Sequence, residues 1–166
     1  MNPTMSDNLN NNDLIDNLMS EKTAKNQKIL NPKTNKLSFG IVPDDHSAIP
    51  GGDIHLKLGL IGYGPQRKGA FGARHIWEKH KIDLNLSKPH EIPNKIADIL
   101  KEGINVLVEF DDQKRNNMPV VLNTAIGKVA LAPKTYEGKV IYEIISAHAN
   151  KNARGTVIGT LKSPSD

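Results

Sequence analysis

The sequence predicts an α+β domain in which N-terminal helices pack on one face of an antiparallel, meandering β-sheet of four to five strands. A helical composition directly after a glycine-rich loop predicts the first helix, and a stripe of apolar residues at helical spacing predicts the second. From residue 104 onward, short apolar segments alternate with turn residues, which is typical of strands. Helices followed by strands with short connections favour the α+β class.

Two strands are predicted before the first helix. Residues 37–42 form a short apolar run that ends at Pro43. In residues 53–60 apolar and polar residues alternate, which is typical of a half-buried strand, and His55 and Lys57 lie on its polar face.

The two helices are predicted from their boundaries and spacing. Residues 73–81 have a helical composition, and the glycines and prolines before them are unsuited to regular structure. Arg74 and Glu78 are spaced for an i,i+4 ion pair on this helix. The second helix, with apolar residues from Ile92 to Leu100, is predicted to end before Gly103.

The C-terminal part of the chain predicts the meander. Asn, Asp and Gly are frequent in the segments between the apolar runs, as turns require. Because the connections are short, neighbouring strands are expected to pair antiparallel. The predicted strands are residues 105–111, 118–124, 128–131, 139–147 and 155–161.

The composition divides the chain into a polar segment and one domain. Residues 1–36 are rich in Asn and contain no aromatic residue, so they are predicted to form a flexible tail or linker, and residues 37–166 the domain. The absence of cysteine excludes disulfides and cysteine-bound zinc. No apolar run approaches the roughly 20 residues that a membrane-spanning helix needs, so we expect no membrane insertion of this chain.

The first helix carries the strongest candidates for catalysis. His75 follows the glycine-rich loop, where the positive end of the helix is expected to favour a bound phosphate and a neutral imidazole, as a general base requires. His80 lies five residues later, about 140° away around the axis at about 100° per residue, so the pair does not match the zinc-protease spacing. His80 is either a second catalytic group or a structural residue that is buried or caps the helix.

Cations surround this helix, and the net charge of +4 with a pI of about 9.2 favours polyanionic partners. The glycine-rich loop lacks the Lys-Ser/Thr of a P-loop and has no dinucleotide fingerprint, so it is either a cationic loop that closes over a phosphate or a solvated hairpin tip. The expected substrate-binding cations are Arg67, Arg74 and Lys79, with Lys68 as a catalytic candidate.

A second cluster of polar residues lies near the C-terminus, around the last predicted turn. His148 is a candidate for substrate binding and offers a possible second acid or base, Arg154 can hold a phosphate, and Thr156 supplies a hydroxyl donor. Ser146 and Asn150 belong to the same cluster, and Asn150 is a candidate for substrate binding. The second proton-transfer group stays open among Lys, His and Tyr, with Tyr63 and Tyr142 as the tyrosine candidates.

These motifs resemble a known group of ribonucleases. The run Gly-Ala-Arg-His-Ile-Trp-Glu-Lys-His at residues 72–80, a second helix, and strands ending in Arg154-Gly-Thr156 look like the BECR group of toxins, which includes barnase, EndoU, the tRNA-cleaving colicins and RelE. The likeness is closest to phage-type toxins and to the C-terminal domains of contact-dependent growth inhibition toxins. It covers about residues 37–161.

The resemblance implies a metal-independent, cofactor-free endoribonuclease, acting on tRNA in the bacterial cytoplasm. The ribose 2′-oxygen would attack phosphorus and leave a 2′,3′-cyclic phosphate, with His75 as base or acid, Lys68 or Arg154 holding the phosphate and Thr156 assisting. It further implies an immunity protein or antitoxin, and delivery of the chain as the C-terminal part of a larger secreted or phage protein. The alternative is a non-catalytic RNA- or protein-binding module whose basic loop contacts phosphates.

Overall fold

The structure, a computed structural model, describes residues 8–21, 25–45 and 49–164. Within these residues the chain forms nine β-strands and three short α-helices, with 3₁₀ turns at Asn11–Asp13 and Pro89–Glu91. In chain order the elements are β1 (Asn8–Leu9), α1 (Asp16–Ser20), β2 (Lys25–Ile29), β3 (Ile41–Val42), β4 (Gly52–Gly59), α2 (Gly72–His80), α3 (Ile92–Ile99), β5 (Asn105–Val108), β6 (Val120–Asn123), β7 (Gly127–Tyr136), β8 (Lys139–His148) and β9 (Thr156–Thr160).

All nine strands belong to one mixed sheet. Its strand order is β1-β2-β4-β8-β7-β6-β5-β9, and β3 pairs with β4 beside this path. The pairs β1–β2 and β4–β8 are parallel, and the others are antiparallel. Ile41 and Lys162 exchange backbone hydrogen bonds of 3.1 and 3.0 Å, which join the end of the chain to β3. The sheet therefore curls until the β9 end meets β3 beside β4.

The predicted fold class is wrong. A nine-stranded mixed sheet with three short helices is not an arrangement of helices on one face of a four- to five-stranded antiparallel meander. The meander β5-β6-β7-β8 exists, but β8 continues the sheet through a parallel pairing with β4. After β8 the chain crosses to the far side of β5, where β9 pairs antiparallel, and does not form a further hairpin with β8.

The segment that the sequence assigned to a polar tail is part of this sheet over its described residues. β2 pairs with the second half of β4, and β1 pairs with β2. Leu14, Met19 and Ile29 are buried in the same core as the rest of the chain. A few apolar residues thus suffice to order this segment, because a partner strand supplies the rest of the surface against which it packs. Residues 1–7 and 22–24 of the predicted tail lie outside the described residues.

The helices close the core on one side of the curled sheet. Ile54, Leu56 and Leu58 of β4 alternate inward, and α3 adds Ile92 and Ile96. β4 and β8 pair over only three residues of each strand, and α2 packs against both strands. None of the helices in the described part of the chain is long and apolar enough to cross a membrane.

Candidate active site

The glycine-rich loop is a β-hairpin that leads directly into α2. Backbone bridges join Leu60 to Phe71 and Tyr63 to Lys68, so residues 61–70 form its end. Gly72 begins α2 at φ +76°, and a Cβ there would lie 2.6 Å from the carbonyl oxygen of Lys57. Only glycine allows this close approach, which fixes the first turn of α2 against β4. The loop is thus an exposed hairpin, and whether it closes over a phosphate stays a prediction.

A β-bulge in β8 sets the other half of the site. The pairing of β7 with β8 shifts register between Ala130 and Leu131, so that Ala130 faces Ser146 and Lys128 faces His148. Ser146 and His148 are two residues apart and lie on one face of the strand. The Nε2 atom of His75 on α2 lies 3.1 Å from the hydroxyl oxygen of Ser146. The bulge and α2 together bring residues that are 71 positions apart into hydrogen-bonding contact.

Three histidines form a row between α2 and β8. The ring centroids of His75 and His80 are 5.6 Å apart, and those of His80 and His148 are 4.0 Å apart, both with edge-to-face geometry. His80 is buried, whereas His75 and His148 are partly exposed. Solvent or a substrate therefore reaches the two outer imidazoles, and the central one supports them.

Asp83, just beyond α2, fixes the central histidine. Its Oδ1 lies 3.1 Å from Nδ1 of His80, and its Oδ2 accepts a hydrogen bond of 2.9 Å from the backbone N–H of Ala149. One carboxylate therefore ties the end of α2 to the end of β8. The Nε2 atom of His80 is buried and has no hydrogen-bond partner among the described residues.

Burial holds both outer histidines in the neutral form. It is the main cause that lowers the pKa of His75 to about 4, and the charges of His80, Lys79 and His148 lower it further. Burial also lowers the pKa of His148 to about 4, helped by His80 and Lys128 and opposed by Asp83. The direction for His75 agrees with the sequence-based expectation, but its main cause is burial.

Two cations lie close enough to influence these imidazoles. Lys79 is exposed and acts on both His75 and His148. Lys128 pairs with His148 across β7 and β8, and its Nζ donates a 2.9 Å hydrogen bond to the backbone oxygen of Asn152. A cavity of about 470 Å³ opens beside Lys128 and is also lined by Asn150 and Arg154. Positive charge from Lys79 and Lys128 thus lies next to the histidines, and Glu109 and Asp112 add negative charge to the wall of the cavity.

The structure separates the other candidate residues. Arg67 is exposed and forms a 2.7 Å ion pair with Glu78, which takes the partner expected for Arg74. The Arg74 side chain is fully buried and bonds the carbonyl oxygens of Leu18 and Gly59 and the carboxylate of Glu21, so it holds the fold and does not face a substrate.

Lys68 and Thr156 lie outside α2 and β8, the two elements that carry the histidines. Lys68 is exposed in the hairpin, and Thr156 begins β9, which the strand order separates from β8 by β5, β6 and β7. Tyr142, one of the alternatives for the second proton-transfer group, is buried, and its hydroxyl donates a 2.6 Å hydrogen bond to the backbone oxygen of Pro50. His148 is the better placed second group.

Two residues of the site were not identified from the sequence. Asp83 lies in the turn after α2, where a lone carboxylate carries no motif, and Lys128 begins a strand with ordinary composition. In the described part of the chain, no group of three or more His, Asp or Glu side chains is arranged to hold a metal ion. Comparisons with protein-family models, with curated proteins and with solved structures find no match to the chain.

Proposed function

We propose that this chain is an endoribonuclease that cleaves RNA without a metal ion and uses His75 and His148 as its proton-transfer groups. The observation that carries the proposal is the pair of partly exposed imidazoles at the two ends of one row, with Ser146 and the positive charge of Lys79 and Lys128 beside them. Imidazoles next to fixed cations are suited to moving protons around a phosphate whose charge grows in the transition state.

The reaction would be an internal transfer of the phosphoryl group. One imidazole takes the proton of the ribose 2′-hydroxyl, and O2′ attacks phosphorus while the bond to the 5′-oxygen breaks. The other imidazole gives its proton to that leaving oxygen. The products are a 2′,3′-cyclic phosphate and a free 5′-hydroxyl, and the two imidazoles end with their proton states exchanged.

Each neighbouring group has a role in this scheme. Lys79 and Lys128 would hold the phosphate, and Ser146 would fix the orientation of the His75 ring through its hydroxyl. Asp83 would keep the His80 ring against His148. The exposed Arg154 and Asn150 would bind the RNA backbone beyond the reacting phosphate, in the cavity next to Lys128.

The resemblance to ribonuclease toxins also suggests the substrate and the partner of this chain. tRNA in the bacterial cytoplasm is the first substrate to examine, and an immunity protein or antitoxin with an acidic surface would cover the exposed cations of the site. These statements rest on the sequence motif at residues 72–80 and on the charge of the site.

The test is incubation of the purified protein with total bacterial tRNA in EDTA, with fragments and their 3′ ends analysed. His75→Ala and His148→Ala should each lower the cleavage rate by roughly 10²- to 10⁴-fold, the range for loss of a general acid or base. His90→Ala is the matched control, because His90 is exposed in the 3₁₀ turn Pro89–Glu91 and should not matter.

Two outcomes would contradict the proposal. Cleavage by His148→Ala at the wild-type rate would remove the second proton-transfer group. RNA that is bound but never cut, by wild type and variants alike, would favour the non-catalytic RNA-binding module.

A further inference from the structure

A second group of charged side chains lies on the same sheet face as Ser146 and His148. Nζ of Lys57 is 2.5 Å from Oε2 of Glu143, and the hydroxyl of Tyr136 donates a 2.8 Å hydrogen bond to the same oxygen. Nζ of Lys57 also donates to the Tyr136 hydroxyl at 3.1 Å. The side chains of Lys57 and Glu143 are 11% and 5% exposed, whereas Tyr136 is 44% exposed.

This ion pair faces a cavity. The cavity has a volume of about 360 Å³, and the pair shares its lining with the rings of Tyr136 and Phe71 and with Ile145. Cavities from roughly 300 to 1,000 Å³ with aromatic walls and a few polar groups are the usual form of small-molecule sites. A buried ion pair contributes little to stability compared with apolar residues of the same volume, so a role in recognition is the better explanation for it.

The cavity adjoins the row of histidines. Ile145 immediately precedes Ser146 on β8, and Phe71 is the residue before α2, four positions before His75. Glu143 and Ser146 lie opposite Ala132 and Ala130, which are two residues apart on β7, or about 7 Å at roughly 3.3 Å per residue. β8 and the start of α2, the two elements that carry the imidazoles, therefore also border this cavity.

We propose that this cavity is a nucleobase subsite, which holds a base next to the reacting phosphate and sets the sequence preference of cleavage. The inference rests on the proposed function for its biological meaning. The base stacks on Tyr136 and Phe71, and its edge forms hydrogen bonds with the carboxylate of Glu143 and the ammonium group of Lys57. Proteins that read single-stranded RNA use this combination of aromatic stacking and edge recognition.

The cavity offers a base both a donor and an acceptor. Any anion would approach the carboxylate of Glu143, which already balances the charge of Lys57, whereas Lys134 on the same wall would attract an anion, so inorganic phosphate is the competing ligand to test. Tyr136 and Lys57 both contact Oε2, which leaves Oε1 as the oxygen that would accept a hydrogen bond from a ligand. An acceptor and a donor side by side match the edge of a base, which presents N–H groups next to ring nitrogens or carbonyl oxygens.

The proposal is tested with the full chain labelled with 3-fluorotyrosine and observed by fluorine NMR. The chain has three tyrosines, so three resonances are expected, and Tyr136→Phe identifies that of Tyr136. The probes are adenosine, guanosine, cytidine, uridine and inorganic phosphate, none of which contains a bond that the enzyme would cut. At least one nucleoside should shift the Tyr136 resonance saturably, while that of the buried Tyr142 stays constant.

Variants of the cavity complete the test. Glu143→Gln should weaken nucleoside binding at least tenfold, and the exposed Glu102→Gln should leave it unchanged. Phe71→Leu keeps an apolar side chain at the start of α2 and should weaken binding severalfold, which covers the case in which Glu143→Gln fails to fold. A Tyr136 response to inorganic phosphate alone, or to none of the five probes, would overturn the proposal. Because no cleavage is measured, failure of the ribonuclease assay leaves this result independent.

Discussion

At the scale of single residues, the site divides its three histidines between two tasks. His75 and His148 are partly exposed and can meet a substrate, whereas His80 is buried between them. Burial of the outer pair lowers the pKa of each imidazole to about 4, which would leave both neutral at pH 7. A phosphate anion bound at Lys79 and Lys128 would favour protonation of one of them, and so prepare the acid that the leaving oxygen needs.

The pH dependence of cleavage follows from these lowered pKa values. The reaction needs one neutral and one protonated imidazole, and above both pKa values the protonated fraction falls about tenfold per pH unit. We expect kcat/KM to have its optimum below pH 6.5, the ordinary pKa of histidine, and to decrease steadily from pH 6 to pH 8. Initial rates on a short oligoribonucleotide across this range test the point, and an optimum near pH 8 would argue against the two imidazoles as the titrating pair.

Asp83 is expected to act by positioning. Asp83→Ala removes the acceptor of both His80 and the Ala149 N–H, so the His80 ring and the end of β8 lose their common anchor. We expect kcat to fall roughly 10- to 100-fold with KM nearly constant, because small misplacements of catalytic groups cost rates of this order. Asp83→Asn keeps one acceptor oxygen and should restore part of the rate.

Asp98→Ala is the control for this variant. Asp98 forms an exposed ion pair with Lys33, so its loss should change neither kinetic constant. A rise in KM without a change in kcat for Asp83→Ala would instead place Asp83 in RNA binding.

The sequence points to candidate residues that are chemically distinctive among their neighbours in the chain. It does not reveal residues whose role depends on contacts between distant parts of the chain. His75 and His148 stand out because imidazoles next to a helix start and a turn are chemically distinctive. Asp83 joins His80 to Ala149, 66 positions later, and only the fold brings that backbone N–H within hydrogen-bonding distance. Arg74 illustrates the reverse case: its spacing predicts a partner in Glu78, but tertiary burial gives it Glu21 and two backbone oxygens.

At the scale of elements, local signals locate α2 and β4 to within one or two residues. A glycine-rich segment ends where helix formers begin, and alternating apolar residues mark β4. β7 extends to Tyr136, beyond its predicted end at residue 131, and Pro133 lies within the strand opposite Tyr142. β1 and β2 have no apolar pattern of their own, so the sequence does not predict them. They are strands because β2 pairs with β4 and β1 pairs with β2.

The start of α2 gives a prediction at this scale. Gly72→Ala would place a Cβ 2.6 Å from the Lys57 carbonyl oxygen at a positive φ, so β4 and α2 must separate. We expect the free energy of unfolding to fall by roughly 2–5 kcal/mol, which combines the left-handed conformation with the clash. Displacement of α2 also moves His75, so cleavage by the folded fraction should decrease.

Gly64→Ala is the matched control, measured by the same urea unfolding experiment. Gly64 has φ +72°, close to that of Gly72, but nothing lies within 4 Å of its Cβ position. Its cost should be about 1–2 kcal/mol, the conformational part alone. Equal losses for the two variants would show that the close approach of α2 to β4 does not matter.

In the molecule as a whole, strands from distant parts of the chain close the sheet, so the stability of each part depends on the others. β2 pairs with β4, Leu14 and Met19 belong to the common core, and Lys162 joins the segment after β9 to Ile41. Such closure depends on strands that are far apart in sequence. Short connections indicate only which neighbouring strands pair, so they predicted a meander and not the closed sheet. Groups buried in this sheet should therefore affect the unfolding of the entire chain.

His55 provides the test of this idea away from the histidine row. It is 9% exposed on β4, its Nδ1 has no partner among the described residues, and burial followed by the charge of Lys28 lowers its pKa to about 4. The unfolded chain has a histidine pKa near 6.5 and binds more protons in this range. The stabilisation is therefore complete above about pH 6.5 and is lost as the pH falls towards 4.

We expect the free energy of unfolding in urea to decrease between pH 7 and pH 5, a window above the ordinary pKa values of Asp and Glu. Each depressed histidine contributes a slope of at most about 1.4 kcal/mol per pH unit, and His75 and His148 add to that of His55. His55→Leu should reduce the slope of unfolding free energy against pH by the contribution of one histidine, whereas His90→Leu, at an exposed position, should leave the slope unchanged. A stability that is flat from pH 7 to pH 5 would mean that these imidazoles are not held neutral by the fold.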